Sequence, residues 1–257
     1  MKRQACFLLL FLAVILLAGF VKTVGSDAQS PLLVSDFANA FKSNTLVVVG
    51  DGFPHGPKGK YSLTIDGLCG AWIAVKLAEY FEAPGIVIDS DITSWQGKTV
   101  DLLDRTHNLI VVGCHWVNIV SYHYFFMRRD LVPVYPANYL NDDPLILPDF
   151  LVKKSTGERF AYKQEIEDKY KTSDYGVMVA LRDGNRSVLI LWAYWEYGTI
   201  AMTRILENID QAGRYGWRLN SEAVFVVWND KIDDDKVELE EITTQPLFER
   251  TQTTTYS

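Results

Sequence analysis

Cysteine and histidine are scarce in this chain, and neither is spaced for a metal. The three cysteines, Cys6, Cys69 and Cys114, form no CxxC, and the four histidines form no HxxxH. Structural zinc needs several closely spaced nitrogen or sulfur ligands, so that class is excluded and no metal is expected. Basic residues run short as well: 25 Lys and Arg stand against 32 Asp and Glu, and no basic run follows Lys22. Phosphate backbones are bound through clustered Lys and Arg, so nucleic acid is excluded as a partner. The nucleophile elbow GxSxG, the phosphate loop GxxxxGKS/T and the dinucleotide fingerprint GxGxxG are all absent; Gly50-Asp51-Gly52 is only a partial GxG. Several large enzyme classes thereby lose their marker sequences.

What is present begins at the N-terminus. Met1-Lys2-Arg3-Gln4 is a charged leader, residues 5–21 are uninterruptedly apolar or small, and Val24-Gly25-Ser26 offers small residues for cleavage. This order predicts a signal peptide over residues 1–26. An uncleaved membrane anchor is the alternative, because the run lies between a signal core and a span of ~20 residues. Cys6 opens the apolar run and does not follow it, the wrong place for a lipoprotein cysteine. Cleavage removes Lys2, Arg3 and Lys22 and no acid, taking the formal charge from −7 down by three to −10. The expected location is extracellular, at the cell surface, with a membrane contact only through an uncleaved N-terminal segment.

The remaining chain repeats one phrase three times: an apolar run rich in β-branched residues, a small or polar break, then an amphipathic stretch. Residues 45–52 (TLVVVGDG) lead to 65–81 (IDGLCGAWIAVKLAEYF), residues 108–115 (NLIVVGCH) to 116–126 (WVNIVSYHYFF), and residues 187–195 (SVLILWAYW) to 196–209 (EYGTIAMTRILENI). Short β-branched runs alternating with helical patterns predict an α/β fold, a three-layer sandwich around a mainly parallel sheet of strand-turn-helix units. A hairpin is added where Asp183-Gly184 separates residues 174–181 from residues 188–192. Asp66 is expected to cap the first helix, whose Leu68, Trp72, Val75 and Ala78 share a face. Residues 86–88 and 222–228 read as two more strands. A single domain over residues 31–241 follows, with an irregular, proline-rich insertion at about 131–170 that carries short edge strands. The Thr-rich residues 242–257 are expected to be a disordered tail.

Three of these segments carry a family likeness. Residues 108–118 (NLIVVGCHWVN), 174–181 (DYGVMVAL) and 187–208 (SVLILWAYWEYGTIAMTRILEN) resemble the archaeal surface-layer protein family. Its members have an apolar strand ending in Val-Gly-Gly, a helix, then an Asp-Tyr-Gly-Val strand paired with a second strand that feeds a helix. This chain departs from that pattern at Cys114, His115 and Trp116, and at the aromatic end of its second strand. A weaker resemblance is to bacterial cell-wall-binding repeats, through Gly50, Asp51, Phe53 and Pro54. Both resemblances imply structural envelope work without chemistry, with the chain itself or other envelope proteins as partners.

Candidate residues gather where strands end. Asp51, His55, His115 and Glu196 follow apolar runs, and a carboxylate beside a histidine suits acid-base hydrolysis. That defines the alternative reading, an extracellular α/β hydrolase or carbohydrate-binding protein. Trp192, Tyr194, Trp195 and Tyr197 form an aromatic cluster suited to an interface or to sugar stacking. His115 and His123 lie eight residues apart, too far along a helix to share one ion. Asn185-Arg186-Ser187 is an N-glycosylation acceptor in the hairpin turn. Cys69 and Cys114 either form a disulfide or stay buried as free thiols. The acidic residues 230–241 lack the glycine and alternating oxygens of a calcium loop, so no cofactor is expected beyond a weak calcium site. The leading expectation is a secreted or membrane-tethered, surface-layer-like structural protein.

Overall fold

The computed structural model describes residues 30–139, 148–167, 169, 172–231, 234 and 236–248. The expected signal peptide at residues 1–26 lies outside the described residues, as does the end of the Thr-rich tail. In chain order the strands are β1 (Thr45–Val49), β2 (Gly85–Ile88), β3 (Thr93–Gln96), β4 (Thr99–Leu102), β5 (Asn108–Val112) and β6 (Val134–Ala137). They continue with β7 (Phe150–Lys153), β8 (Arg159–Phe160), β9 (Ser173–Asp183), β10 (Arg186–Ala193), β11 (Ala223–Asn229) and β12 (Ile242–Pro246). The helices that matter here are α1 (Thr64–Ala78), α2 (Ile119–Tyr122), which runs on into a π turn at His123–Met127, and α3 (Glu196–Glu207).

Seven strands form one mixed sheet in the order β12-β11-β9-β10-β5-β1-β2. The chain is therefore an α/β protein. Pairings β2-β1, β1-β5 and β5-β10 are parallel, whereas β10-β9, β9-β11 and β11-β12 are antiparallel. The sheet is therefore mixed: β2, β1, β5, β10 and β11 run one way, and β9 and β12 run against them. The hairpin places β9 inside the sheet, between β10 and β11, so both pairings of β9 are antiparallel, and the edge strand β12 adds a third. The turn itself is two residues long, with Gly184 at φ 62° in its first position, where a side chain is strained.

Because the central strands are buried on both faces, they read as unbroken apolar runs and not as alternating ones. Val47, Val49, Ile110, Val112, Leu189 and Leu191 point into one apolar cluster with Ile73 and Leu77 of α1 and Met202 and Ile205 of α3. Val48, Leu109, Val111, Val188 and Ile190 point into another, with Val120 of α2, Tyr124, Phe125 and Leu151 of β7. Consequently the chain leaves β1 and β10 toward one face of the sheet and leaves β5, between them, toward the other.

Some local expectations shift. Helix α1 starts one turn position earlier than expected: Leu63 is its N-cap, and Asp66 sits at the third helical residue. Its buried positions are Asp66, Cys69, Gly70, Ile73, Ala74 and Leu77, while Leu68 and Val75 face outward. The polar connector after β2 contains the antiparallel pair β3-β4, and the insertion holds the small antiparallel sheet β6-β7-β8. The tail boundary at residue 242 is corrected too. Ile242–Pro246 forms β12, which pairs along β11 with Ile242 buried.

Candidate functional site

Asp51, His55, His115 and Glu196 do not converge on one site. Asp51 and His55, in the loop after β1, are gathered by Asp89, a fully buried carboxylate just past β2. Nε2 of His55 lies 2.9 Å from both carboxylate oxygens of Asp89, and Nδ1 lies 2.7 Å from the Phe53 carbonyl. Asp89 also accepts from the backbone N–H groups of Asp51 and Ile119, which ties the ends of β1 and β2 to the start of α2. Burial pulls the His55 ring down, but the hydrogen bond and charge of Asp89 outweigh it and hold its pKa above the ordinary value. A hydrogen bond from the Ser90 hydroxyl keeps Asp51 below the usual carboxylate range. This is a closed, internally satisfied network.

His115 belongs to a different environment, although it borders the same narrow crevice as His55. It is buried, lies edge to edge with Trp192 with the two rings nearly parallel, and accepts a hydrogen bond from Trp192 Nε1 at 3.0 Å. Nδ1 is thus the acceptor, so the neutral ring carries its proton on Nε2. Burial, with the nearby Lys58 charge, depresses its pKa well below the ordinary value. His123 is separately engaged, with Nδ1 2.9 Å from the Val100 carbonyl.

Glu196 opens onto a concave site of ligand size. A cavity of about 320 Å³ lies where β1, β5 and β10 end, walled by Lys60, Asp66, Trp116, Tyr194, Trp195 and Glu196 among others. Neighbouring strands whose chains depart to opposite faces leave a crevice beyond their carboxyl ends, the usual ligand position in open α/β sheets. Asn118 keeps that crevice in register. Buried, it donates to the carbonyls of Val48 and Val112, and its Oδ1 accepts from Val120 and Ser121 at the start of α2. Gly50 permits the close approach, since a Cβ there would collide with the Val117 carbonyl oxygen.

The electrostatics of the cavity are mixed. Burial pushes the Asp66 carboxyl up to about 6, opposed by hydrogen bonds from Ser62 Oγ at 2.8 Å and the Leu63 N–H, and the Glu196 charge adds to the rise. Asp174, fully buried beneath the start of α3, is pushed up to about 7 by burial while accepting from the Gly198 and Tyr175 N–H groups. The ammonium groups of Lys58 and Lys60 lie 4.4 and 5.6 Å from the centre of the Trp116 ring.

The aromatic cluster divides. Trp192 and Tyr194 are core residues, with the Tyr194 hydroxyl donating to the Ala161 carbonyl, and Tyr197 stacks on Trp228 at 4.4 Å. Tyr194 and Trp195 also reach the cavity wall. Cys69 and Cys114 are free thiols, so the disulfide is not formed. Asn185 is exposed at the hairpin tip. Among the described residues no group of three or more His, Cys, Asp or Glu is placed to hold a metal ion, and no helix is long and apolar enough to cross a membrane. Asp89, Lys60 and Asn118 escaped the sequence reading, and Trp116 entered it only as a departure from the family pattern and not as a wall of this cavity. The signal for Asp89 was an acid directly following an apolar run, as Asp51 follows the first.

Fold and site together define an α/β protein with a mixed sheet and a ligand-sized cavity at the carboxyl ends of three strands. Compared with known proteins, the chain matches no protein-family model and no curated sequence.

Proposed function

We propose that this chain is an extracellular, surface-layer-like structural protein of the cell envelope, secreted or held by its N-terminal segment, which works by associating with itself. The resemblance of residues 108–118 and 174–208 to surface-layer proteins supports this reading, as does the acidic, motif-poor composition. The observation that carries it is the outer edge of the sheet. Strand β2 pairs only with β1 among the described residues, and its Ile86 and Ile88 are 50% and 36% exposed on the face that α1 partly covers. Leu68 and Val75 on the outer side of α1 are exposed as well. An unpaired apolar strand edge is a template for another strand, and soluble monomers ordinarily blunt such edges with charge or proline. A second copy meeting β2 would pair the edge and cover the isoleucines.

The two apolar clusters, one on each face of the sheet, favour a three-layer sandwich as the architecture that presents this edge. Glycosylation at Asn185 is compatible with that use, since the hairpin tip lies at the end of β9 and β10 and not on β2. Sedimentation velocity on the mature chain, with and without calcium, tests the reading. Concentration-dependent assembly is expected, abolished by Ile86→Lys with Ile88→Lys. A chain that stays monomeric at high concentration and fails to bind isolated envelope overturns it.

A further inference from the structure

The cavity beyond β1, β5 and β10 has the chemistry of a polyol site. At about 320 Å³ it stands at the lower end of the ~300–1,000 Å³ range of small-ligand pockets, room for a single ring. Its walls combine aromatic rings (Trp116, Tyr194, Trp195) with two carboxylates (Asp66, Glu196) and the Lys60 ammonium. Charge in and around it is balanced, because Lys58 and Lys60 over Trp116 match the two carboxylates. An anion would meet Asp66 and Glu196, and a cation would compete with two ammonium groups for the same indole. A neutral molecule studded with hydroxyls escapes both penalties. Its oxygens accept from Lys60, its hydroxyl hydrogens are taken by the carboxylates, and its apolar ring face lies against an aromatic wall.

Asp66 adds a second observation. Both hydrogen bonds it accepts from Ser62 and Leu63 fall on Oδ2, which leaves the other oxygen of a 5% exposed carboxylate to serve a ligand. Keeping a buried carboxylate here costs stability, and such costs concentrate at functional sites. We propose that this cavity binds one uncharged sugar ring, such as the terminal residue of an envelope glycan. The proposal stands on the cavity and is independent of self-association through β2.

The mature chain is titrated with the methyl glycosides of glucose, galactose, mannose and N-acetylglucosamine. Tryptophan fluorescence and saturation-transfer NMR follow binding, with choline and inorganic phosphate as ionic probes. At least one glycoside is expected to bind saturably in the ~1 mM range, and Glu196→Gln and the exposed-site variant Lys60→Ala each to weaken it about tenfold. Circular dichroism confirms that both variants are folded. No saturable glycoside signal up to ~100 mM overturns the proposal. So does tighter binding of choline or phosphate than of every glycoside, or binding indifferent to both substitutions. None of these results bears on sedimentation of the same samples.

Discussion

His55 and Asp89 meet in a pair whose histidine has no spare nitrogen: Nε2 faces the Asp89 carboxylate at 2.9 Å and Nδ1 faces the Phe53 carbonyl at 2.7 Å. Two acceptors favour two donors, so these contacts favour the imidazolium, while burial raises the Asp89 carboxyl and works against its charge. The folded pKa of His55 lies above the ordinary 6.5, so its stabilisation is complete below 6.5 and is lost as pH rises through the raised value. The unfolding free energy lost in His55→Gln is therefore expected to be larger at about pH 6 than at about pH 8.5. Asp89→Asn, which strands a partly buried cation, is expected to cost about 3–5 kcal/mol by urea unfolding. A His55→Gln penalty that grows with pH would mean the ring is neutral.

His115 carries the opposite sign. Its folded pKa is depressed below 6.5 by burial, so its contribution is present above 6.5 and is lost as pH falls toward the folded value. Long-range nitrogen NMR at about pH 5 should still show the neutral ring with its proton on Nε2. Trp192→Phe leaves Nδ1 without its donor and is expected to destabilise by about 1–3 kcal/mol. Protonation of His115 at that pH in the folded protein contradicts the assignment.

Asp66 offers a gain in stability. A carboxyl whose folded pKa is raised to about 6 favours the folded state while protonated, and that advantage is lost as pH rises from the unfolded value of 3.8 through 6. Asn keeps the acceptor for Ser62 and Leu63 without the charge. Asp66→Asn is expected to stabilise by about 1–3 kcal/mol at about pH 8 and to change little at about pH 4. A gain confined to acid would reverse the argument. The same substitution should weaken glycoside binding, separating stability from use of the site.

Neither thiol should behave as reactive. Burial pushes Cys69 up to about 12 and Cys114 up to about 11, so the thiolate that alkylates is almost absent near neutrality. Iodoacetamide is expected to spare both in the native chain and to modify both after unfolding, read by peptide mapping. A linked Cys69–Cys114 peptide from the native protein would refute the free-thiol state.

The central strands were legible because burial on both faces demands uninterrupted apolar runs, and Asp183-Gly184 marked the hairpin. The buried side of α1 was not. Leu68 and Val75 are its larger apolar residues on one face, yet the helix turns Gly70 to the sheet, where a Cβ would come within 2.5 Å of Val49 Cγ1. Ile73 and Leu77 are buried on that face as well, so it combines large apolar side chains with a close approach at Gly70. The tail strand β12 was hidden for a related reason: its threonines suit a half-exposed edge as well as a loop, and only pairing with β11 decides between them. At the site, Glu196 was found by its position after a strand. Asp89 looked like a turn residue because His55 and Ile119 stand 34 and 30 positions away in the chain, beyond any local pattern.

The β9-β10 hairpin also bears on how the sheet is assembled. Closed by a two-residue loop, it is the only pairing among the central four strands that requires no long chain closure, and such hairpins form within microseconds. Once made, it offers two open flanks, β10 to β5 and β9 to β11. Every other central pairing joins segments distant in sequence, for which loop-closure entropy must be overcome first. A folding route that runs outward from this hairpin is the expectation. A circular permutant opened at Gly184 would turn the earliest contact into the longest-range one, and should fold far more slowly while reaching the same sheet.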